Sequence, residues 1–260
     1  MTVMPQDQLQ KTYDKDFYSR QIDGSSRSAS VIVPKILEIL PFVKSVIDIG
    51  CGTGVWLHHF HLNGVTRIQG IDGGEPSDKY LQIPAAQFRR ADLVAPIAIA
   101  EKFDLALSLE VAEHIPASAA SKLVKTLADC SDVIVFAAAI PGQGGTNHIN
   151  EQWLSYWCSL FNEVDYRCFD VLRGSLWSDQ RIEWWYAQNI VIFVNTKQPQ
   201  LIESLTKIEV NSVHPIDMVH PRCFEGRRRA AQKRRHLYDA LPGKHIFSLL
   251  RHLITFRLGR

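Results

Sequence analysis

The run Ser45-Val-Ile-Asp-Ile-Gly-Cys-Gly-Thr-Gly54 constrains the fold more than any other part of this chain. Its first five residues are a short apolar, β-branched stretch that reads as a buried strand. Glycines then stand at 50, 52 and 54, and a helical stretch follows from Val55 to Leu62. Strand, glycine turn and helix in that order let the backbone come close to a ligand and aim the free N–H groups of a helix start at it. A dinucleotide fingerprint, G-x-G-x-x-G, would need its third glycine at position 55, which is Val55. A dehydrogenase is therefore disfavoured.

The same alternation continues along the chain. Strands are expected at Thr66–Ile71, Gln87–Ala91, Phe103–Leu109 and Val133–Ala137, with helix beginning near Val111 and running through Ser121–Ala128. Such βαβ units imply a parallel, doubly wound sheet. Two more β-branched runs, Glu163–Val171 and Gln188–Asn195, lack a clear helix between them, so they predict an antiparallel hairpin at one edge. The expectation is an α/β sheet of about seven strands with the last one antiparallel. Residues 1–40 would cap it with helices, 41–198 form the main domain, and 199–260 hold a linker and a basic tail. The linker assignment rests on Pro199, Pro215 and Pro221 and on weak periodicity between them.

The form G-x-G-x-G, preceded by Asp48, resembles motif I of class I S-adenosylmethionine-dependent methyltransferases, which have a Rossmann-like fold. Three further acids fall in that family's order, and the likeness covers roughly residues 45–195. It implies S-adenosyl-L-methionine as cofactor, with Asp48, Gly50, Cys51, Gly52 and Gly54 around its methionine end. Asp72, in Gly70-Ile71-Asp72, would hold the ribose hydroxyls, a task for which a carboxylate is well suited. Asp92 and Leu93 would meet the adenine, and Glu110 would close the fourth strand beside the cofactor. Taken singly, Asp72 and Asp92 read equally well as turn or cap aspartates.

Methyl transfer from a sulfonium needs alignment, and a general base if the acceptor is a hydroxyl. His148 sits in the polar, glycine-rich stretch Pro141-Gly-Gln-Gly-Gly-Thr-Asn-His148, which needs no histidine for packing. It is the candidate base; the alternative is a histidine that only orders the loop. Glu110, Glu113 and His114 are spaced i, i+3, i+4 and would share a helical face able to hold a divalent cation. The string Glu110-Val-Ala-Glu113-His114 is similar to one in ubiquinone-biosynthesis O-methyltransferases and small-RNA 2′-O-methyltransferases, where it helps bind magnesium. Here Ile115 and Pro116 follow, with no second histidine. His58, His59 and His61 cluster on the helix after the glycine loop, and a non-ligand role suits them better. The segment Asn147–Trp153 together with Trp185–Asn189 resembles small bacterial methyltransferases associated with cell-surface polysaccharide synthesis. That likeness implies a glycan or small-molecule hydroxyl as acceptor. The alternatives are a metal-using RNA or phenol O-methyltransferase, or a catalytically silent module that keeps the fold.

The overall charge of +2 hides an asymmetry: residues 221–260 carry eleven Lys/Arg against Glu225 and Asp239, leaving the first 220 residues at −7. Within the tail, Ile246, Leu249, Leu250, Leu253 and Ile254 fall on one face of a helical wheel. A basic amphipathic segment across 222–260 suits an anionic membrane surface. Docking on the chain's own body or on a second copy suits it equally, and the acidic body argues against nucleic acid. The spacing of five cysteines suggests no disulfide framework, and no apolar run approaches the ~20 residues of a membrane span. A cytoplasmic protein, membrane-associated through its tail, is the expectation; nothing fixes its oligomeric state.

Overall fold

The computed structural model describes residues 15–74, 76, 78–209 and 216–239, so the apolar stripe at 246–254 lies outside the described residues. Seven strands form one sheet: β1 Ser45–Ile49, β2 Arg67–Asp72, β3 Phe88–Arg90, β4 Leu105–Leu109, β5 Val133–Ala137, β6 Tyr166–Phe169 and β7 Val191–Asn195. Their order is β3-β2-β1-β4-β5-β7-β6. The pairings among β1 to β5 are parallel, and β7 runs antiparallel to both β5 and β6. This is the Rossmann-like, doubly wound sheet with a reversed last strand. The direction of winding changes between β1 and β4, and it is outside the carboxyl ends of the strands at such a point that sheets of this kind bind ligands.

Central parallel strands are covered on both faces and therefore read as unbroken apolar runs. Every residue of the parallel strands β1, β4 and β5 is buried, and so is every residue of the antiparallel β7. Alternate residues feed two separate cores. Val133, Val135 and Ala137 of β5 pack on the side covered by α1 (Lys15–Ile39) and α2 (Val55–Leu62). Ile134 and Phe136 pack on the side covered by α3 (Ala120–Cys130) and α4 (Leu154–Asn162). Phe136 meets Trp157, Phe161 and Phe193 at ring separations of 5.3, 5.4 and 6.0 Å. Truncating such a residue to alanine costs about 3–5 kcal/mol.

Several expectations need correction. The helix predicted to start near Val111 is a single 3-10 turn, Ala112–His114, because Pro116 cannot donate a helical hydrogen bond and restrains Ile115 to an extended backbone. Two short helices, α5 (Arg173–Leu176) and α6 (Trp184–Asn189), fill the stretch between β6 and β7 where a polar hairpin loop was expected. Gln188 and Asn189, read as strand, end α6 instead. The stretch read as linker contains α7 (Pro199–Glu209), whose Leu201, Ile202 and Leu205 return to the core at helical spacing. Pro199 opens that helix rather than breaking it, since a first-turn residue has no helical N–H partner to lose.

The chain divides after His220 into two compact units. The second contains α8 (Pro221–Asp239), on which Arg222, Arg227, Arg228, Arg229, Lys233 and Arg235 are exposed. Among the described residues no helix is long and apolar enough to cross a membrane.

Candidate active site

The glycine turn follows from packing as much as from flexibility. Gly50 has φ +89°, and a Cβ there would fall 2.3 Å from Val111 Cγ2. Gly52 has φ +54°, but a Cβ would meet nothing within 4 Å, so its face looks onto open space. Gly54, at φ +81°, starts α2 with no side-chain cap, leaving first-turn N–H groups of that helix without a side-chain acceptor. Cys51 turns inward: its thiol is buried, and burial foremost raises its pKa well above the usual thiol range.

Two aspartates brace the turn. Asp72 Oδ2 accepts from Gly52 N–H and Oδ1 from Gly74 N–H, both at 2.7 Å. A carboxylate offers about four lone-pair directions, so acceptor capacity is left for hydroxyl groups. Asp48 is 2% exposed, and its Oδ1 has no hydrogen-bond partner. Burial first, and Asp72 second, push its pKa up to about 7. Asp92, exposed after β3, accepts from Val94 N–H at 3.0 Å, with Leu93 half-buried beside it. The open face at Gly52, the orphaned Asp48 oxygen and the acidic strand ends together fit a polar, hydroxyl-bearing cofactor.

Glu110 leaves β4 with φ +58°, a conformation uncommon outside glycine. Gln143 Nε2 and Asn189 Nδ2 each donate to its carboxylate at 2.9 Å. Burial raises its pKa to about 7, and the two amides partly oppose that. Gln188 extends this network, donating to Gln143 Oε1 at 3.0 Å. Glu110 is thereby committed to amides and does not share a face with Glu113 and His114.

Those two residues meet a different partner. Glu113, His114 and His148 bring one ligand atom each within 4.8 Å of one another. Glu113 is fully buried with neither carboxylate oxygen hydrogen-bonded. Burial foremost, then Glu110, raises its pKa well above the ordinary range; the backbone amides of Glu113 and Ala139 oppose this while falling short of hydrogen-bond geometry. His114 packs edge-on against His148 at 4.9 Å, and burial lowers its pKa to about 4. His148 Nε2 lies 3.9 Å from Glu113 Oε1, and its Nδ1 lies 2.9 Å from Glu151 Oε1.

The remaining candidates stay apart from this cluster. His59 Nε2 bonds Ser26 Oγ at 2.9 Å and His61 Nδ1 bonds Val65 O at 3.2 Å, both structural contacts. Trp157 is core, whereas Trp153 and Ile149, close to His148 in sequence, are exposed. Gln143, Gln188 and Asn189 were missed from sequence, because nothing local marks an amide that will meet Glu110.

Comparison with known proteins accords with this geometry. A family model described as a methyltransferase domain matches residues 20–189. Two ubiquinone biosynthesis O-methyltransferases of Neisseria meningitidis are similar in part. The serogroup A protein is 35% identical over 95 residues, covering 32% of this chain and 40% of that protein. The serogroup C protein is 34% identical over 85 residues, covering 30% and 36%. The match thus spans about two fifths or less of the curated relatives' length. Among solved structures, a magnesium protoporphyrin IX methyltransferase from Synechocystis with bound S-adenosylmethionine superposes with a TM-score of 0.53 at 16% identity, covering 75% of this chain and all of that one. A sugar N-methyltransferase from Streptoalloteichus gives 0.50 at 11% identity, covering 75% and 94%.

Proposed function

The chain belongs to the class I S-adenosylmethionine-dependent methyltransferases, and we propose that it methylates a hydroxyl group of a glycan or small molecule, with His148 as general base. The observation that carries this reading is the placing of His148 on the loop that leaves β5, at the strand-end edge where the glycine turn and Asp72 also lie. When bound, S-adenosylmethionine supplies a methyl group on a sulfonium, open to in-line displacement by an oxygen lone pair. Asp48, Gly50, Gly52 and Gly54 would hold its methionine end, Asp72 the ribose, and Asp92 with Leu93 the adenine. His148 Nε2 would take the acceptor's proton as the oxygen attacks, and exposed Ile149 and Trp153 would present an apolar face to a sugar or flat ring.

One observation favours a second reading. A fully buried carboxylate without a hydrogen bond, beside two imidazoles, is a costly arrangement unless a cation completes it. In that reading Glu113, His114 and His148 hold a divalent ion, Glu110 is not a ligand, and the acceptor is a phenol or an RNA hydroxyl. Support for hydroxyl acceptors in general comes from the curated relatives, whose names describe O-methyltransferases. Transfer of labelled methyl to glycan, phenol and RNA acceptors, with and without chelator, tests both. Turnover indifferent to chelator removes the metal reading; turnover abolished by chelator and restored by magnesium removes the metal-free one. No turnover with any acceptor class leaves a silent module.

We propose in addition that the basic segment from Arg222 onward binds an anionic membrane surface, which the exposed cations of α8 support.

A further inference from the structure

The loop from Pro141 to Gln152 contains three residues in the left-handed region, Gly142 at φ +80°, Gly144 at +64° and Asn147 at +60°. A loop so shaped persists only where its donors are satisfied. Two of those donors and one ring nitrogen converge on one carboxylate. Glu151 Oε2 accepts from Gly142 N–H at 2.7 Å, and Oε1 accepts from Gly144 N–H. The same Oε1 meets His148 Nδ1 at 2.9 Å.

From this convergence we infer that Glu151 is a positioning residue for His148, holding the ring in the tautomer with its proton on Nδ1 and a bare Nε2 turned toward Glu113. An ionised carboxylate only accepts, so the ring nitrogen that faces it must donate. The neutral ring then keeps its lone pair on Nε2. The seat is shaped to that orientation. A Cβ on residue 145 would lie 2.2 Å from His148 Nε2, so the ring rests against a position that only glycine can fill without displacing it. His114 closes another side, edge-on at 4.9 Å. The inference rests on the reading of His148 given above, and it serves both versions of it. A general base and a cation ligand each need the lone pair at Nε2, and a ring protonated there offers neither. One glutamate thereby couples the shape of the glycine loop to the chemical state of the histidine that the loop carries.

The full chain labelled with ¹⁵N-histidine reports the tautomer directly through its ring-nitrogen shifts, with His148 assigned by its loss in His148→Gln. In the neutral ring of the wild type, Nδ1 is protonated and Nε2 bare. In Glu151→Ala the ring goes over to the Nε2–H form, and turnover falls roughly 10- to 100-fold while the KM for S-adenosylmethionine stays the same. Glu151→Gln, whose side-chain oxygen can still accept from Nδ1, keeps the wild-type tautomer and more of the turnover than the alanine variant. A wild-type ring protonated on Nε2 overturns the inference, as do ring shifts unchanged in Glu151→Ala. If the variants fail to fold, the wild-type spectrum alone decides. No acceptor is needed for this measurement, so an enzyme indifferent to His148 removal would sink the functional reading and leave the tautomer to be judged on its own spectrum.

Discussion

Glu113 Oε1 and His148 Nε2 face each other across 3.9 Å, one on the turn after β4 and the other on the loop after β5. The carboxylate has no hydrogen bond, and the ring is held from its other nitrogen by Glu151. If His148 is the base, His148→Ala lowers turnover by roughly two to four orders of magnitude. Affinity for S-adenosylmethionine, measured by calorimetry, stays near wild type. Turnover within a few-fold of wild type would leave His148 with loop ordering alone.

Asp72 holds two backbone N–H groups of the cofactor turn, and we propose that it also holds the ribose. A hydrogen bond to a charged group contributes about 1.5–3 kcal/mol, so Asp72→Ala should weaken S-adenosylmethionine and S-adenosylhomocysteine binding by at least roughly 10- to 100-fold, the loss of one such bond. Calorimetric titration reads this, with NAD as a ligand that should not bind. Equal affinity in wild type and variant would dismiss the assignment.

Gly50→Ala meets two separate obstacles, a φ of +89° and Val111 Cγ2 at 2.3 Å from the new methyl. Backbone strain and overpacking together should cost about 2–5 kcal/mol. Adding Val111→Ala removes the two closest contacts, leaving Val111 Cβ at 3.0 Å and the backbone strain, so the double variant should recover part of the lost thermal stability. Recovery of all of it would show that the left-handed conformation is not needed there.

The raised Asp48 pKa makes stability depend on pH in a definite direction. The folded state keeps this proton up to about pH 7, whereas an ordinary aspartate loses it near 3.8. Between those values the folded chain binds more protons than the unfolded one, so stability falls as pH rises through the window. The full effect is up to about 4 kcal/mol from this residue. Asp48→Asn should flatten the decline in melting temperature between pH 5 and pH 8. An unchanged slope would mean that Asp48 ionises normally in the folded chain.

The exposed cations of α8 predict salt-dependent attachment to anionic surfaces, at about 1 kcal/mol per Lys or Arg near the membrane. The full chain should float with vesicles rich in anionic lipid and not with neutral ones, and a chain ending at His220 should float with neither. Binding of the tail to RNA but not to vesicles would replace the membrane with a nucleic acid.

The framework was legible because its signals are local. The β1 run and the glycines at 50, 52 and 54 sit within ten residues, and their meaning depends on their neighbours alone. The acidic strand ends were legible for the same reason. The cation-type cluster was only half legible: Glu113 and His114 are adjacent, but His148 joins them through the return of the chain after β5. Helical spacing gave Glu110 as their companion, and the positive φ at Glu110 with Pro116 downstream removed the helix on which that spacing depended. The short helices before β7 escaped notice because Gln188 and Asn189 sit beside β-branched residues, while their amides serve Glu110 rather than a strand ladder.

The amide network around Glu110 reaches further than the site itself. Gln143 donates to Glu110, Gln188 to Gln143, and the backbone N–H of His220 to Gln188 Oε1 at 2.8 Å. His220 is the last residue of the body, and the next peptide bond begins the basic helix. The last residue of the body and the buried Glu110 carboxylate thus belong to one continuous chain of hydrogen bonds. A polar side chain changed at position 188 would therefore be felt at both ends of that chain, at the carboxylate that closes β4 and at the residue that ends the body.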